Sequence, residues 1–222
     1  MLAIENLVRL FSVARGTLAL VGFAAVLMVA LPQPRDALMK QVAAAAQVGG
    51  VAAGPVSSAG PILAVAGELA QEREQRALAE FIARRYRVAE AASAIFVSTA
   101  YRAGREFAVD PLLILAVMAI ESRYNPVAES SMGAKGLMQI IPKYHQDKLL
   151  EHGGEYALLD PEVNIQVGAQ ILQEYMRRFA ATETALQMYG GAMDEPTAQY
   201  AGKVLAEKAR LKQFVARALR QA

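Results

Sequence analysis

The chain has 222 residues, no cysteine, 55% hydrophobic and 20% charged residues, and 23 Lys+Arg against 21 Asp+Glu for a formal net charge of +2. It is too long for a disulfide-stapled mini-protein and too apolar for a disordered chain, and the missing cysteines exclude a disulfide framework, cysteine-ligated zinc, iron–sulfur clusters, thiol catalysis and a lipidated cysteine anchor. The near-neutral balance supplies no bulk charge for nucleic acid, and with His145 and His152 as the only histidines no metal site or cofactor is expected.

The hydrophobic residues are unevenly spread. Gly16–Leu31 is sixteen residues without a charge, preceded by Arg9 and Arg15 and closed by Pro32-Gln33-Pro34. The run exceeds a usual signal h-region and falls just short of the ~20 residues of a membrane-spanning helix, a shortfall that snorkelling flanks make up. Residues 1–40 therefore read as a signal-anchor, with a cleaved signal peptide or a buried helix as alternatives. Arg9 and Arg15 hold the N-terminus in the cytoplasm and send the remainder across the membrane.

Residues 41–66 are uncharged and rich in Ala and Gly, with breaks at Gly49-Gly50, Gly54-Pro55 and Gly60-Pro61. They predict a flexible linker. From Glu68 the texture changes. Charges alternate with Leu69, Leu78, Phe81, Ile82 and Val88 at three-to-four spacing. Residues 67–90 thus predict an amphipathic arm, its charged face solvated or, in a sharper reading, docking a partner through 68–88. The helical pattern continues or restarts through Ile95, Phe96, Thr99 and Phe107, and Gly104 weakens its end.

Asp110-Pro111 opens a new helix, Asp as N-cap and Pro at the first helical position. Leu112–Ile120 are nine apolar residues in a row. This helix is too short to cross a bilayer, so it must be buried in a globule. It ends on Glu121, before a stop at Asn125-Pro126. Val127–Ile141 holds a short irregular hairpin at most. Asp160-Pro161 repeats the start signal for a helix to about Phe179; Thr182–Tyr189 and about Thr197–Ala222 follow. The last carries Lys203, Lys208, Arg210, Lys212, Arg217 and Arg220 against Glu207 alone. No strand-length alternation appears, so the fold is mainly α.

Glu121 is the residue that asks for chemistry. A carboxylate at the end of a fully apolar helix sits at the rim of a core, where desolvation raises its pKa. A general acid working near neutral pH needs that. The segment Ser131-Met132-Gly133-Ala134-Lys135-Gly136-Leu137-Met138-Gln139-Ile140-Ile141-Pro142 follows. Its two glycines permit a tight turn, Gln139 offers an amide suited to sugar hydroxyls or N-acetyl groups, and Met138 offers an adaptable apolar floor. Tyr189 and Tyr200 each combine a flat apolar face with a hydroxyl.

With these residues in view, about residues 92–209 resemble the SLT-type lytic transglycosylases of the lysozyme-like superfamily. Glu121-Ser122 fits the catalytic Glu-Ser, and Gly136-Leu137-Met138-Gln139 the Gly-Leu-Met-Gln motif. Asn164-Ile165-x-x-Gly168 fits the Asn-x-x-x-Gly helix beside the catalytic one. Tyr189 fits the tyrosine of Ala-Tyr-Asn, and Tyr200 with Val204 the terminal Tyr-x-x-x-Val. The sequence departs from the pattern at Met188 and Gly190, which replace the alanine and asparagine around Tyr189, and at Pro196, with Glu195 one position before the usual glutamate.

The resemblance implies a lysozyme-like helical domain over 91–222 on the periplasmic side of the bacterial inner membrane, held there through residues 16–31. The implied reaction cleaves the MurNAc-β-1,4-GlcNAc bond of peptidoglycan with formation of a 1,6-anhydro end. Glu121 would act as acid then base, with Ser122, Met138, Gln139, Tyr189 and Tyr200 binding the glycan strand. Glu129, Glu155 and Glu162 read as surface or capping residues, leaving a single acid. The rival readings are a lysozyme-type hydrolase, with water in place of the muramyl hydroxyl, and an accessory module of an envelope-spanning machine.

Overall fold

The computed structural model describes residues 59–221. The expected membrane segment at 16–31 and the linker up to residue 58 lie outside the described residues. Among the described residues no helix is long and apolar enough to cross a membrane.

The described residues are mainly helical. In chain order they form α1 (Ala59–Tyr86), α2 (Glu90–Phe107), α3 (Pro111–Glu121), a 3-10 turn at Pro142–Tyr144, α4 (Gln146–Leu150), a second 3-10 turn at Glu155–Leu159, α5 (Pro161–Arg178), α6 (Thr182–Tyr189) and α7 (Gln199–Gln221). No strand forms among them. The hairpin expected in Val127–Ile141 is reduced to isolated antiparallel bridges, Glu129 with Lys135 and Lys135 with Ile140.

The apolar run becomes the centre. Every residue of α3 from Leu112 to Ala119 is buried, because it is enclosed on all sides rather than along one stripe. Helix α3 packs on α2 and α7, α2 on α5, and α1 on α2 and α7. Burying one such aliphatic side chain stabilises by roughly 1.5–3 kcal/mol. Both Asp-Pro signals act as read: Asp110 Oδ1 accepts from the Leu112 amide at 2.8 Å, and Asp160 Oδ1 from the Glu162 amide at 2.8 Å. Asp110 also pairs with Lys208 at 2.8 Å, tying the start of α3 to α7.

Helix α1 differs from the expected arm. It begins at Ala59, inside the stretch expected to be linker, where alanine favours continuing a helix whose later turns are packed. Leu78 and Ile82 are fully buried, and the Phe81 and Phe214 rings lie 4.4 Å apart. The Tyr101 hydroxyl donates to Glu74 at 2.6 Å, and the Tyr86 hydroxyl to Glu207 at 2.8 Å. Glu207, although buried, is thus hydrogen-bonded, and Arg210 neutralises it, as a buried charge requires. The arm is solvated all round from residue 64 through residue 73, Leu69 included, and only its later turns bury a face.

The end of α3 is held by backbone in an uncommon conformation. Arg123 and Tyr124 take φ of 54° and 63°, the left-handed region that residues with a Cβ rarely adopt. Tyr124 is 1% exposed, and its hydroxyl donates to the Leu115 carbonyl at 2.9 Å. These contacts sustain the strain and stop the helix at Glu121.

Candidate active site

The loop after α3 is fastened to α5 by one buried side chain. Asn164 Oδ1 accepts from the Met138 amide at 2.8 Å. Its Nδ2 donates to the carbonyls of Lys135 at 2.9 Å and Leu158 at 3.0 Å. The amide therefore makes three of its four bonds inside the protein. Gly136, at φ +75°, lies so close beneath it that a Cβ would come within 2.2 Å of Asn164 Nδ2. A Cβ on Gly168 of α5 would come within 2.4 Å of the Met138 sulfur. The sequence motifs Gly-Leu-Met-Gln and Asn-x-x-x-Gly are thus two halves of one joint. Gly168 admits the Met138 side chain.

This joint presents Gln139 to a cleft of about 370 Å³. The loop contributes Ser130, Tyr144 and His145, α5 contributes Tyr175, and the end of α6 contributes Met188 to Gly191. Among the described residues lining the cleft, Glu121 is the one carboxylate. Burial is the larger influence on Glu121 and raises its pKa above the ordinary value; a hydrogen bond from Tyr200 opposes this. That bond joins the Tyr200 hydroxyl to Glu121 Oε1 at 2.5 Å. Burial first, and the nearby Glu121 charge next, hold the Tyr200 phenol above its usual range, so it stays protonated and donates. Burial likewise raises Tyr189 well above an ordinary phenol.

The structure sorts the residues expected to bind substrate. Gln139 and Tyr189 line the cleft. Gln139 Nε2 donates to the carbonyls of Ala128 at 3.1 Å and Gly136 at 3.0 Å, which holds its backbone at φ 50°. The Tyr189 hydroxyl donates to the Met138 carbonyl at 2.9 Å. Tyr200 reaches Glu121. Ser122 and Met138 do not line the cleft. Ser122 Oγ is turned inward, donating to the Leu137 carbonyl at 2.8 Å, and Met138 is fully buried against α5. Of the other acids, Glu129 pairs with Lys135 at 2.9 Å and Glu162 with Arg102.

Three residues at the site, Tyr144, His145 and Gln187, had no sequence signal that gave them a role there. Tyr144 and His145 line the cleft from a segment that reads as loop. His145 is held below the ordinary histidine value, by burial first and then by Lys148. Gln187 Oε1 accepts from the Ala201 amide at 2.8 Å, and Glu195 Oε2 from the Tyr200 amide at 3.2 Å. Together they cap the start of α7. Glu195, one position from where the motif expects a glutamate, reaches the last motif all the same.

A helical unit with this acid-bearing cleft has known counterparts. A family model for the transglycosylase SLT domain matches residues 88–201, just over half of the 222 residues. The chain belongs to that family. It is 34% identical over 108 residues to the transglycosylase of Enterobacteria phage PRD1, covering 46% of this chain and 39% of that one. It is 37% identical over 84 residues to the soluble lytic murein transglycosylase of Escherichia coli strain K12, covering 36% and 13%. It is 44% identical over 77 residues to the endo-type membrane-bound lytic murein transglycosylase A of Klebsiella pneumoniae, covering 32% and 38%. The chain spans less than two fifths of the length of these curated relatives.

Proposed function

We propose that the chain is a peptidoglycan lytic transglycosylase with a lysozyme-like fold, cleaving the MurNAc-β-1,4-GlcNAc bond. The observation that carries this reading is a single carboxylate at the cleft, its pKa raised by burial and one of its oxygens held by a phenol. Tyr200 occupies Oε1, so Oε2 is the oxygen that carries the proton to the glycosidic oxygen. As that bond breaks, an oxocarbenium-like centre develops at the muramyl C1. Glu121, now ionised, takes the proton of the C6 hydroxyl, whose oxygen closes the 1,6-anhydro ring. Glu121 ends protonated and no water is consumed. Ordinary glycosidases use a pair of carboxylates; an intramolecular hydroxyl makes the second one unnecessary.

Gln139 and Tyr189 contact the glycan strand, while Ser122, Met138 and Asn164 hold the loop that presents Gln139. The folding unit of this enzyme starts within α1 rather than at residue 91, and it works on the periplasmic side of the inner membrane, attached through residues 16–31. The names of the relatives, one soluble and one membrane-bound, support the reaction more than the attachment.

The test is to incubate the protein with peptidoglycan and analyse the muropeptides by mass spectrometry. Products carrying the water-loss mass of the anhydro sugar are expected. Reducing ends in their place would make the protein a hydrolase. Glu121→Gln is expected to abolish product while leaving the circular dichroism spectrum intact.

A further inference from the structure

We propose that Gly190 is a positioning residue: its missing side chain is what lets the Tyr200 ring lie against residue 190 and carry its hydroxyl to Glu121. The inference rests on the reading of Glu121 as the acid. A Cβ added at Gly190 would stand 2.7 Å from Tyr200 Cδ2, 2.7 Å from Cγ and 2.8 Å from Cδ1. Near-equal distances to three ring carbons place the added atom over the face of the ring, not at its edge. Ordinary contact begins at about 3.4 Å, so the ring would have to withdraw as a rigid body, and the hydroxyl would move with it.

The backbone of Tyr200 cannot withdraw in its place. Its amide is held by Glu195 Oε2 at 3.2 Å, and the next amide by Gln187 Oε1 at 2.8 Å. Gln187 is itself buried and donates to the Ala192 carbonyl at 2.7 Å. The displacement therefore falls on the side chain. Gly190 has φ of −77°, open to any residue, so sterics toward Tyr200 and not backbone conformation account for glycine here. The Tyr200 ring fills the volume that a residue-190 side chain would take, where the family pattern has asparagine.

The titratable groups around Glu121 are Tyr200 from α7, Tyr189 and Tyr175 at the α6 and α5 walls, and Tyr144 and His145 from the loop. Among the described contacts, Tyr200 alone hydrogen-bonds the carboxylate, and that bond lowers the Glu121 pKa. Pushing the ring away removes that lowering influence.

The experiment is a carbon-13 NMR titration of the Glu121 carboxyl in the full chain, for wild type, Gly190→Ala, Tyr200→Phe and the double variant. Gly190→Ala is expected to move the midpoint upward, toward that of Tyr200→Phe, and to add nothing once Tyr200→Phe is present. The alkaline limb of kcat/KM moves up in parallel. Gly202→Ala, on α7 beside Tyr200 and with nothing within 4 Å of the added Cβ, is expected to leave the midpoint where it is. A Gly190→Ala midpoint equal to wild type, or a further rise in the Tyr200→Phe background, would overturn the proposal. Should Gly190→Ala unfold the protein, adding Tyr200→Ala is expected to restore folding, and no rescue would equally sink the idea. If the NMR shifts appear while wild type yields no anhydro product, the positioning stands and the reaction assigned above falls.

Discussion

The carboxyl of Glu121 couples chemistry to stability. Burial raises its pKa above the ordinary value of 4.5, so the folded state binds this proton more tightly than the unfolded state. The linkage sign follows: its stabilising contribution is full below the ordinary value and is lost as pH rises through the folded one. Glu121→Gln removes that loss while retaining an acceptor for Tyr200. The variant is expected to melt above wild type at pH 7, with the gap closing below about pH 4.5; calorimetry at several pH values checks it. Asn164→Ala acts at the same scale. It strands the Met138 amide and the carbonyls of Lys135 and Leu158 in a buried site, at a cost of about 3 kcal/mol, measurable by urea denaturation. Glu121 and Gln139 were legible in the sequence because each contrasts with its apolar surroundings. The pairing of Gly190 with Tyr200 was not, since a ring lying on a glycine leaves no mark in either residue.

Helices with strong local signals appeared where the sequence put them. Asp110-Pro111 and Asp160-Pro161 each carry a capping oxygen and a preset φ, and the helix expected over roughly Thr182–Tyr189 is α6. Helix α4 was missed because its five residues fall below the length at which propensity alone sustains a helix; what holds it is the burial of Leu149. The start of α1 was missed for a related reason. An alanine-rich, uncharged stretch carries no amphipathic pattern, and its helicity depends on continuity with the packed turns beyond it. Between elements, the contact of α5 with the Met138 loop yields a sharp expectation. Gly168→Ala overpacks that contact and is expected to cost roughly 1–3 kcal/mol, with much of the loss recovered when Met138→Ala vacates the space. Thermal melts of the single and double variants test this.

At the scale of the molecule, α1 and α7 close the unit from opposite ends of the described chain. A fragment beginning at residue 90 loses Leu78, Ile82 and Phe81 from the core and leaves Glu207 without its phenol partner. It is expected to be far less stable than residues 59–222, with loss of about 3–6 kcal/mol from the two aliphatic side chains alone, and to bind a dye specific for exposed apolar surface. Comparing Tm and dye fluorescence of the two lengths checks it. The sequence suggested the later boundary because the contact between Tyr86 and Glu207 spans 121 positions, beyond the reach of any local pattern.

The bond between Tyr200 and Glu121 spans 79 positions, and α7 also supplies Lys208 to the start of α3. A ribosome makes Glu121 long before it makes either partner. During synthesis the acid therefore exists for a time without the phenol that fixes its orientation, on a helix whose other mainstay is still missing. The Glu121–Tyr200 pair is complete only once α7 has been made and has docked, so the order of translation leaves the carboxyl unpaired by its phenol until the helical unit closes.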